Sequence, residues 1–568
     1  MHSPRFDTYY RYAELTRLLH AYAAQYPGLL QLDSLGPSHE GRDIWLVTVT
    51  RQSTGAATDK PAFWVDGNIH SAELVGSMAA LYLIDYLLTR DGEDETVTRC
   101  LDSRTFYICP RLNPDGAEWA LADTPKIVRS GTRLWPNTDP LPGGLTPQDI
   151  DGDGRILSMR VPDPNGHWKI DTDDPRLMVA REPAETGGDY YRLLPEGQIE
   201  DYDGFTIGVR PNDEGLDLNR NFPCDWRPEA EQKGAGPFPA SESEVNAAVR
   251  FIHAHPNICG GVAFHSYSGV LLRPFSHRPD DEMIPEDLRV FDTLADKGTA
   301  LTGYPAISAY HGFRYHPREV ITGALDDYLY QELGRYSWTV EIWSPQREAG
   351  ITDVDFIDWY RTHGIEDDRK LLSWNDTALK GKGFVDWYPF DHPQLGPIEL
   401  GGWNPLYSFW NPPPHKLEQE LQRFPDWLVW HNLIGPQLGL GEVRVTRLDN
   451  SLWKLEAVVV NHGWLPTYLS KQALAKHISP GVHCRLQLPD TAQLISGQAV
   501  QQLDQLEGRA HKPASPFGWS GQVSDPTDDR ITVSWIIRAE QNTTLTLEVR
   551  HDHAGRITQA IELNDEIV

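Results

Sequence analysis

Disulfide potential is what this 568-residue sequence has least of: five cysteines, Cys100, Cys109, Cys224, Cys259 and Cys484, odd in number and without a CxxC pair. That excludes a disulfide scaffold and a cysteine-built zinc site, and points to reduced thiols in a cytoplasmic protein. Positive charge is also short. Lys and Arg total 51 against 81 Asp and Glu, a net charge of −30, so the chain lacks the basic surface that binds nucleic acid or an anionic membrane. No run of about 18 uncharged apolar residues occurs, and Met1 to Asp7 opens no apolar signal-like segment. The expectation is a chain that neither spans a membrane nor is exported.

What is present is apolar content of 40%, enough for two or three cores. Tyr9 to Tyr26 has helical spacing and stops at Pro27-Gly28; Leu30 to Leu35 and Asp43 to Thr50 read as a hairpin. An apolar strand, Pro61 to Val65, then runs through Gly67-Asn68-Ile69-His70-Ser71-Ala72-Glu73 into a long helical segment, Leu74 to Leu88. At that corner a loop and a first helical turn can aim His70 and Glu73 at one point, a metal-ligand spacing. The same pair also fits a surface His beside a Glu that complements the helix dipole. Thr105 to Pro110 is another short strand, and strands alternating with helices point to an α/β sheet with sites at the carboxyl ends of its strands.

Residues 124–202 are polar, rich in Pro and Gly, and too long for an ordinary connection. Within them Asp149, Asp151 and Asp153 alternate ahead of Gly154, a pattern that a calcium loop or a solvated acidic turn would share; Arg160 stands where an EF-hand needs its bidentate Glu. Arg210 to Pro223 puts two Arg and three Asn beside a turn, suiting carboxylate recognition or a salt-bridged loop equally. His265 ends an apolar strand, as a core histidine or a ligand. Glu341 lies in the β-rich segment Ser337 to Trp343, where a buried carboxylate needs a partner or a task.

Taken in order, HSAE at His70 to Glu73, NPDG at Asn113 to Gly116, the RxNxxGxDLNRNFP stretch from Arg210 to Pro223, HSYS at His265 to Ser268 and Thr339-Val340-Glu341 resemble the motifs of the zinc metallocarboxypeptidases of the funnelin, carboxypeptidase A/B-like, family. The resemblance covers about residues 8 to 345. It implies an α/β/α fold with a mixed central β-sheet, one zinc ion on His70, Glu73 and His265, and a peptide substrate. It implies Glu341 as general base and Arg210 as the group that polarises the scissile carbonyl. Asn219 and Arg220 would hold the terminal carboxylate, Tyr267 would contact substrate, and Asp217 would orient His70.

Two departures accompany the resemblance. Glu319 falls where the family has a mobile tyrosine, for which Tyr310 or Tyr315 are substitutes, and Ala72 falls where some relatives carry an arginine. Asp326 aligns with an aspartate of relatives that prefer basic terminal residues, and with Glu319 suggests a cationic preference; its alternative role is to cap a helix near Asp327. Carboxypeptidase action is the first reading. Hydrolysis of non-standard amides, such as γ-glutamyl or cell-wall stem-peptide bonds, is the second, and a binding protein retaining the fold is disfavoured by the intact ligand set. After Gly435-Pro436 short alternating strands begin, so the chain divides into a catalytic domain, 1–436, and a C-terminal β-sandwich, 437–568.

Overall fold

The computed structural model describes residues 4–564 apart from 138, 140, 142, 315, 317, 319, 320, 353 and 513–524. Its centre is an eight-stranded mixed sheet in the spatial order Leu30–Pro37, Asp43–Val49, Thr105–Cys109, Ala62–Gly67, Ile258–Ser266, Tyr336–Ile342, Val270–Arg273, Ala306–Ser308. The first two strands form the expected antiparallel hairpin. The four strands from Thr105–Cys109 to Tyr336–Ile342 run parallel. They are buried along their whole length, as parallel strands covered on both faces by helices must be.

Register decides what meets at the carboxyl ends. Phe264 pairs with Gly67 on one side, and His265 pairs with Glu341 on the other. Leaving Gly67, the chain turns into the helix Leu74–Arg90. Two glycines let that helix lie against the sheet backbone to backbone: a Cβ at Gly67 would meet the carbonyl oxygen of Gly76 at 2.3 Å, and one at Gly76 would meet the carbonyl oxygen of Phe264 at 2.5 Å.

Residues 124–202 do not stay a loop. The strands Ser158–Pro162 and Tyr191–Pro195 pair with each other, and Ser158–Pro162 also pairs with Gly396–Trp403, which is hairpinned to Phe384–His392. The insertion and a segment two hundred residues later therefore share one antiparallel sheet, with its own cluster of Leu145, Met159, Val161, Ile199, Ile398 and Leu400.

Helix Pro414–Leu421 ends and a second helix, Pro425–Leu433, starts at Pro425, where proline fits the first helical turn. Beyond them two four-stranded antiparallel sheets close over Trp453, Leu455, Trp535, Leu486, Leu547 and Ile561, a β-sandwich. Gly555–Glu562 alternates and closes a hairpin with Thr544–His551; Gln493–Ser496 and Val500–Gln502 are too short to be read from sequence.

Candidate metal centre

The corner after Gly67 is shaped by asparagines. Asn68 donates from Nδ2 to the His70 carbonyl at 2.7 Å. Asn113, the first residue of the NPDG turn, caps its helix by accepting the Gly116 N–H at 2.9 Å, and its Nδ2 donates to the carbonyls of Ile69 (3.1 Å) and Ser130 (2.8 Å). Ser71 N–H donates to the Arg129 carbonyl at 3.2 Å. Two loops distant in sequence, 68–73 and 128–130, are thereby fastened together.

At their junction His70 Nδ1 lies 2.8 Å from Glu73 Oε1 and 3.1 Å from His265 Nδ1, which lies 3.0 Å from Glu73 Oε2. All three side chains are buried. His70 Nε2 faces Asp217 Oδ1 at 3.1 Å, which puts the ring proton on Nε2 and turns the Nδ1 lone pair towards Glu73. Lone pairs and carboxylate oxygens this close repel unless a cation holds them. Donors around a tetrahedral zinc, each at roughly 2.0–2.2 Å, sit about 3.3 Å apart, so two imidazoles and one carboxylate at these separations fit that ion. Among the described residues the same three side chains form a group able to hold a metal.

Charge around the cluster is strongly coupled. Burial would raise the Glu73 carboxyl, but His70 and His265 pull it well below the usual range. Burial likewise opposes ionisation of Asp217, and Arg129 and Arg220 overcome it. Glu341 is pushed well up by burial and then by the Glu73 charge. It shares with His70, Glu73, Ser266 and Tyr267 a cleft of about 530 Å³.

A small cavity beside the cluster is lined by His70, His265, Asn219, Arg220, Asp326 and Glu341. Arg220 donates to the Asn219 carbonyl at 2.7 Å, and Asn219 Oδ1 accepts the Leu325 N–H at 3.0 Å. Asp326 is buried within the short turn Leu325–Asp327 and lines this cavity; its Oδ1 also accepts the Asp327 N–H at 3.0 Å, while Ala324 at the N-cap position makes no side-chain cap. Burial and then the Asp327 charge raise its carboxyl.

Several expectations need correction or relocation. Arg210 does not reach the cluster. Its guanidinium pairs with Glu200 and, at 2.6 Å, Asp213, on a cavity formed with Gly143, Gly144 and Val209. The arginine at the centre is Arg129, whose Nε donates to Asp217 Oδ2 at 3.0 Å and whose Nη1 lies 3.7 Å from Glu73. It lines both the cleft and the small cavity. Arg210 was assigned because it opens the stretch that resembles the family's motif; Arg129 lies at the start of the insertion between Lys126 and Arg133, where no motif marks it.

Calcium finds no support. Asp149, Asp151 and Asp153 do gather, but their oxygens are engaged. Asp149 accepts the N–H groups of Gly152 and Gly154, Asp151 accepts Asp153 N–H and the Tyr388 hydroxyl, and Asp153 accepts the backbone and guanidinium of Arg155. This is the acidic turn. Glu319 and Tyr315 lie outside the described residues. Tyr310 stacks under Arg314, and the phenols lining the cleft are Tyr267 and Tyr360, rings 5.8 Å apart.

Comparison with known proteins bears on the family. Carboxypeptidase B of Astacus astacus is 24% identical over 345 residues, 59% of this chain and 87% of that protein. Carboxypeptidase A1 of Sus scrofa is 24% identical over 343 residues, 59% of this chain and 63% of that protein, so the chain spans under two thirds of this second relative. The solved carboxypeptidase A of Helicoverpa armigera superposes with a TM-score of 0.38 and 18% identity, covering 66% of this chain and 76% of that one. Residues 437–562 match a family described only as a domain of unknown function. The profile of the family described as zinc carboxypeptidase matches residues 15–358, more than half of the sequence, and the chain belongs to that family.

Proposed function

We propose that the protein removes the carboxyl-terminal residue of peptides, with preference for a basic one. The observation that carries this reading is adjacency: a cluster of His70, Glu73 and His265 with Glu341 beside it opens into a small buried cavity holding Arg220, Asn219 and Asp326. His70, Glu73 and His265 would hold zinc, which when bound supplies a Lewis acid for the scissile carbonyl and the attacking water. Glu341 takes the proton of that water and returns it to the leaving amine. Arg129 faces the developing oxyanion, a role in which a preorganised cation counts most when water is excluded. Arg220 and Asn219 hold the terminal carboxylate, and a grip on that group confines cleavage to the last peptide bond. Asp217 positions His70, and Asp326 sits where a terminal ammonium or guanidinium would end.

The division into a catalytic unit, 1–436, and an accessory unit, 437–568, is part of the same proposal, supported by the separate sandwich core. Among the described residues no helix is long and apolar enough to cross a membrane. Incubation of the zinc-loaded protein with a peptide library blocked at either end tests the reading. Loss of single residues from free carboxyl termini is the expected result; cleavage inside chains, or of carboxyl-amidated peptides equally well, overturns it.

A further inference from the structure

We propose that a second, apolar cavity beside the metal cleft binds substrate residues upstream of the scissile bond, an inference that rests on the carboxypeptidase reading above. The cavity measures about 540 Å³, within the roughly 300–1,000 Å³ of sites that take small ligands. One wall comes from the insertion, through Ile156, Leu157, Leu193 and Leu194; the other is the turn Pro405–Tyr407. That turn lies beyond residue 358, outside the stretch matched to the zinc carboxypeptidases. The shared sheet of the insertion and Gly396–Trp403 sets the two walls opposite each other.

Direction argues for the occupant. The terminal carboxylate and side chain are taken by the cavity of Arg220 and Asp326, so the rest of a bound peptide leaves the cluster through the larger cleft. That cleft and the apolar cavity share Ile127 and Trp410 as walls. A peptide leaving past Trp410 meets apolar side chains and few polar ones; the guanidinium at the rim, Arg155, is bound to Asp153.

Part of the lining is also unspent in folding, although Leu194, Leu406 and Tyr407 pack against neighbouring cores. Ile127, Ile156 and Leu193 are half-buried and join none of the hydrophobic clusters formed by the described residues. Apolar groups held at a cavity wall without partners favour an apolar occupant, since covering them releases water from both surfaces. The occupant is a run of apolar residues a few positions before the cleaved bond. It would make the enzyme a selective trimmer of peptides with apolar stretches near a basic carboxyl terminus.

The test compares matched peptides sharing the same last two residues: a short blocked one, one extended upstream by leucine and valine, and one extended by glycine and serine. The apolar extension is expected to raise kcat/KM about tenfold or more over the polar one, and Leu193→Glu to erase that ratio. Ile156→Glu, on a separate segment, repeats the measurement should Leu193→Glu not fold. Calorimetric affinity of the same peptides for zinc-loaded Glu341→Gln protein gives a readout independent of turnover. Equal kcat/KM and equal affinity for the two extensions, or a ratio that survives both substitutions, overturns the subsite. No cleavage of the short peptide by the wild type would instead overturn the carboxypeptidase reading, and the affinities would still decide whether the cavity takes apolar peptide.

Discussion

Asn411 Oδ1 accepts the N–H of Val75 at 2.8 Å across 336 residues of chain. Glu73 occupies the N-cap position of the helix Leu74–Arg90 but does not cap it, because its carboxylate is turned to His70 and His265. A carboxylate turned to the two imidazoles cannot also accept a first-turn N–H, and Asn411 accepts the one from Val75 in its place. Its Nδ2 donates to the carbonyls of Ala72 and Leu406.

Asn411→Ala should therefore destabilise the protein by about 1–3 kcal/mol for each buried group left unpaired. Urea unfolding of the zinc-loaded protein measures it; a change under about 0.5 kcal/mol, the usual range of a surface substitution, would mean that water replaces the side chain.

Metal binding should require all three proposed ligands. His265→Ala and His70→Ala are each expected to leave the purified protein with little zinc, because two protein ligands hold the ion too weakly. Elemental analysis after dialysis decides this, and full occupancy in His265→Ala would remove that residue from the ligand set.

Glu341→Gln should keep zinc and lose about 10²–10⁴-fold in kcat, the range of a lost general base. Arg129→Ala should lose about 10²–10³-fold in kcat with a smaller change in KM, as for an oxyanion donor. Arg210→Ala, by contrast, breaks a pairing with Glu200 and Asp213 far from the cluster. A larger kcat loss in Arg210→Ala than in Arg129→Ala would return the oxyanion role to Arg210.

Terminal-residue preference should depend on pH with a definite sign. Burial raises the Asp326 carboxyl, so the group is neutral at acid pH and gains its charge as pH rises towards neutrality. The ratio of kcat/KM for peptides ending in Lys over those ending in Leu is expected to climb with pH, and Asp326→Asn to flatten it. A ratio independent of pH in the wild type refutes an acidic pocket.

Stability should show a second, separable pH dependence. Burial pushes Asp66 up to about 7, against the Trp64 Nε1–H donated to its Oδ2. Between about pH 4 and 7 the unfolded chain has lost this proton and the folded one has kept it. Stability then falls with rising pH, by up to ~1.4 kcal/mol per unit for one proton. Asp66→Asn should remove that slope in denaturant titrations; an unchanged slope would assign it to other groups.

What spacing alone could offer was local: His70 and Glu73 lie three apart at a strand-to-helix corner, within reach of one point. Asn219, Arg220, His265 and Glu341 were singled out by the order of the motifs they share with the carboxypeptidases, not by spacing. Arg129 was missed because its position depends on Asn113 and Ser71, residues of two other loops. The pairing of Ser158–Pro162 with Gly396–Trp403, and the cap from Asn411 to Val75, join parts of the chain hundreds of residues apart. Periodicity reports which face of a strand is apolar, not which distant strand lies beside it. The acidic turn stayed open between two readings for a related reason: alternate aspartates look the same whether their oxygens meet an ion or the turn's own N–H groups.

Because Gly67, Gly76 and Phe264 approach one another backbone to backbone, the span between the loop bearing His70 and the strand bearing His265 is set by main-chain contact and not by how side chains happen to fill a gap. Repacking of the surrounding core can alter stability while leaving that span untouched. A methyl group at either glycine, however, would have to wedge helix from sheet by about an ångström to reach ordinary contact. The tolerance of the centre to change is thus lopsided: broad among its neighbours in space, and almost nil at two positions that carry no side chain.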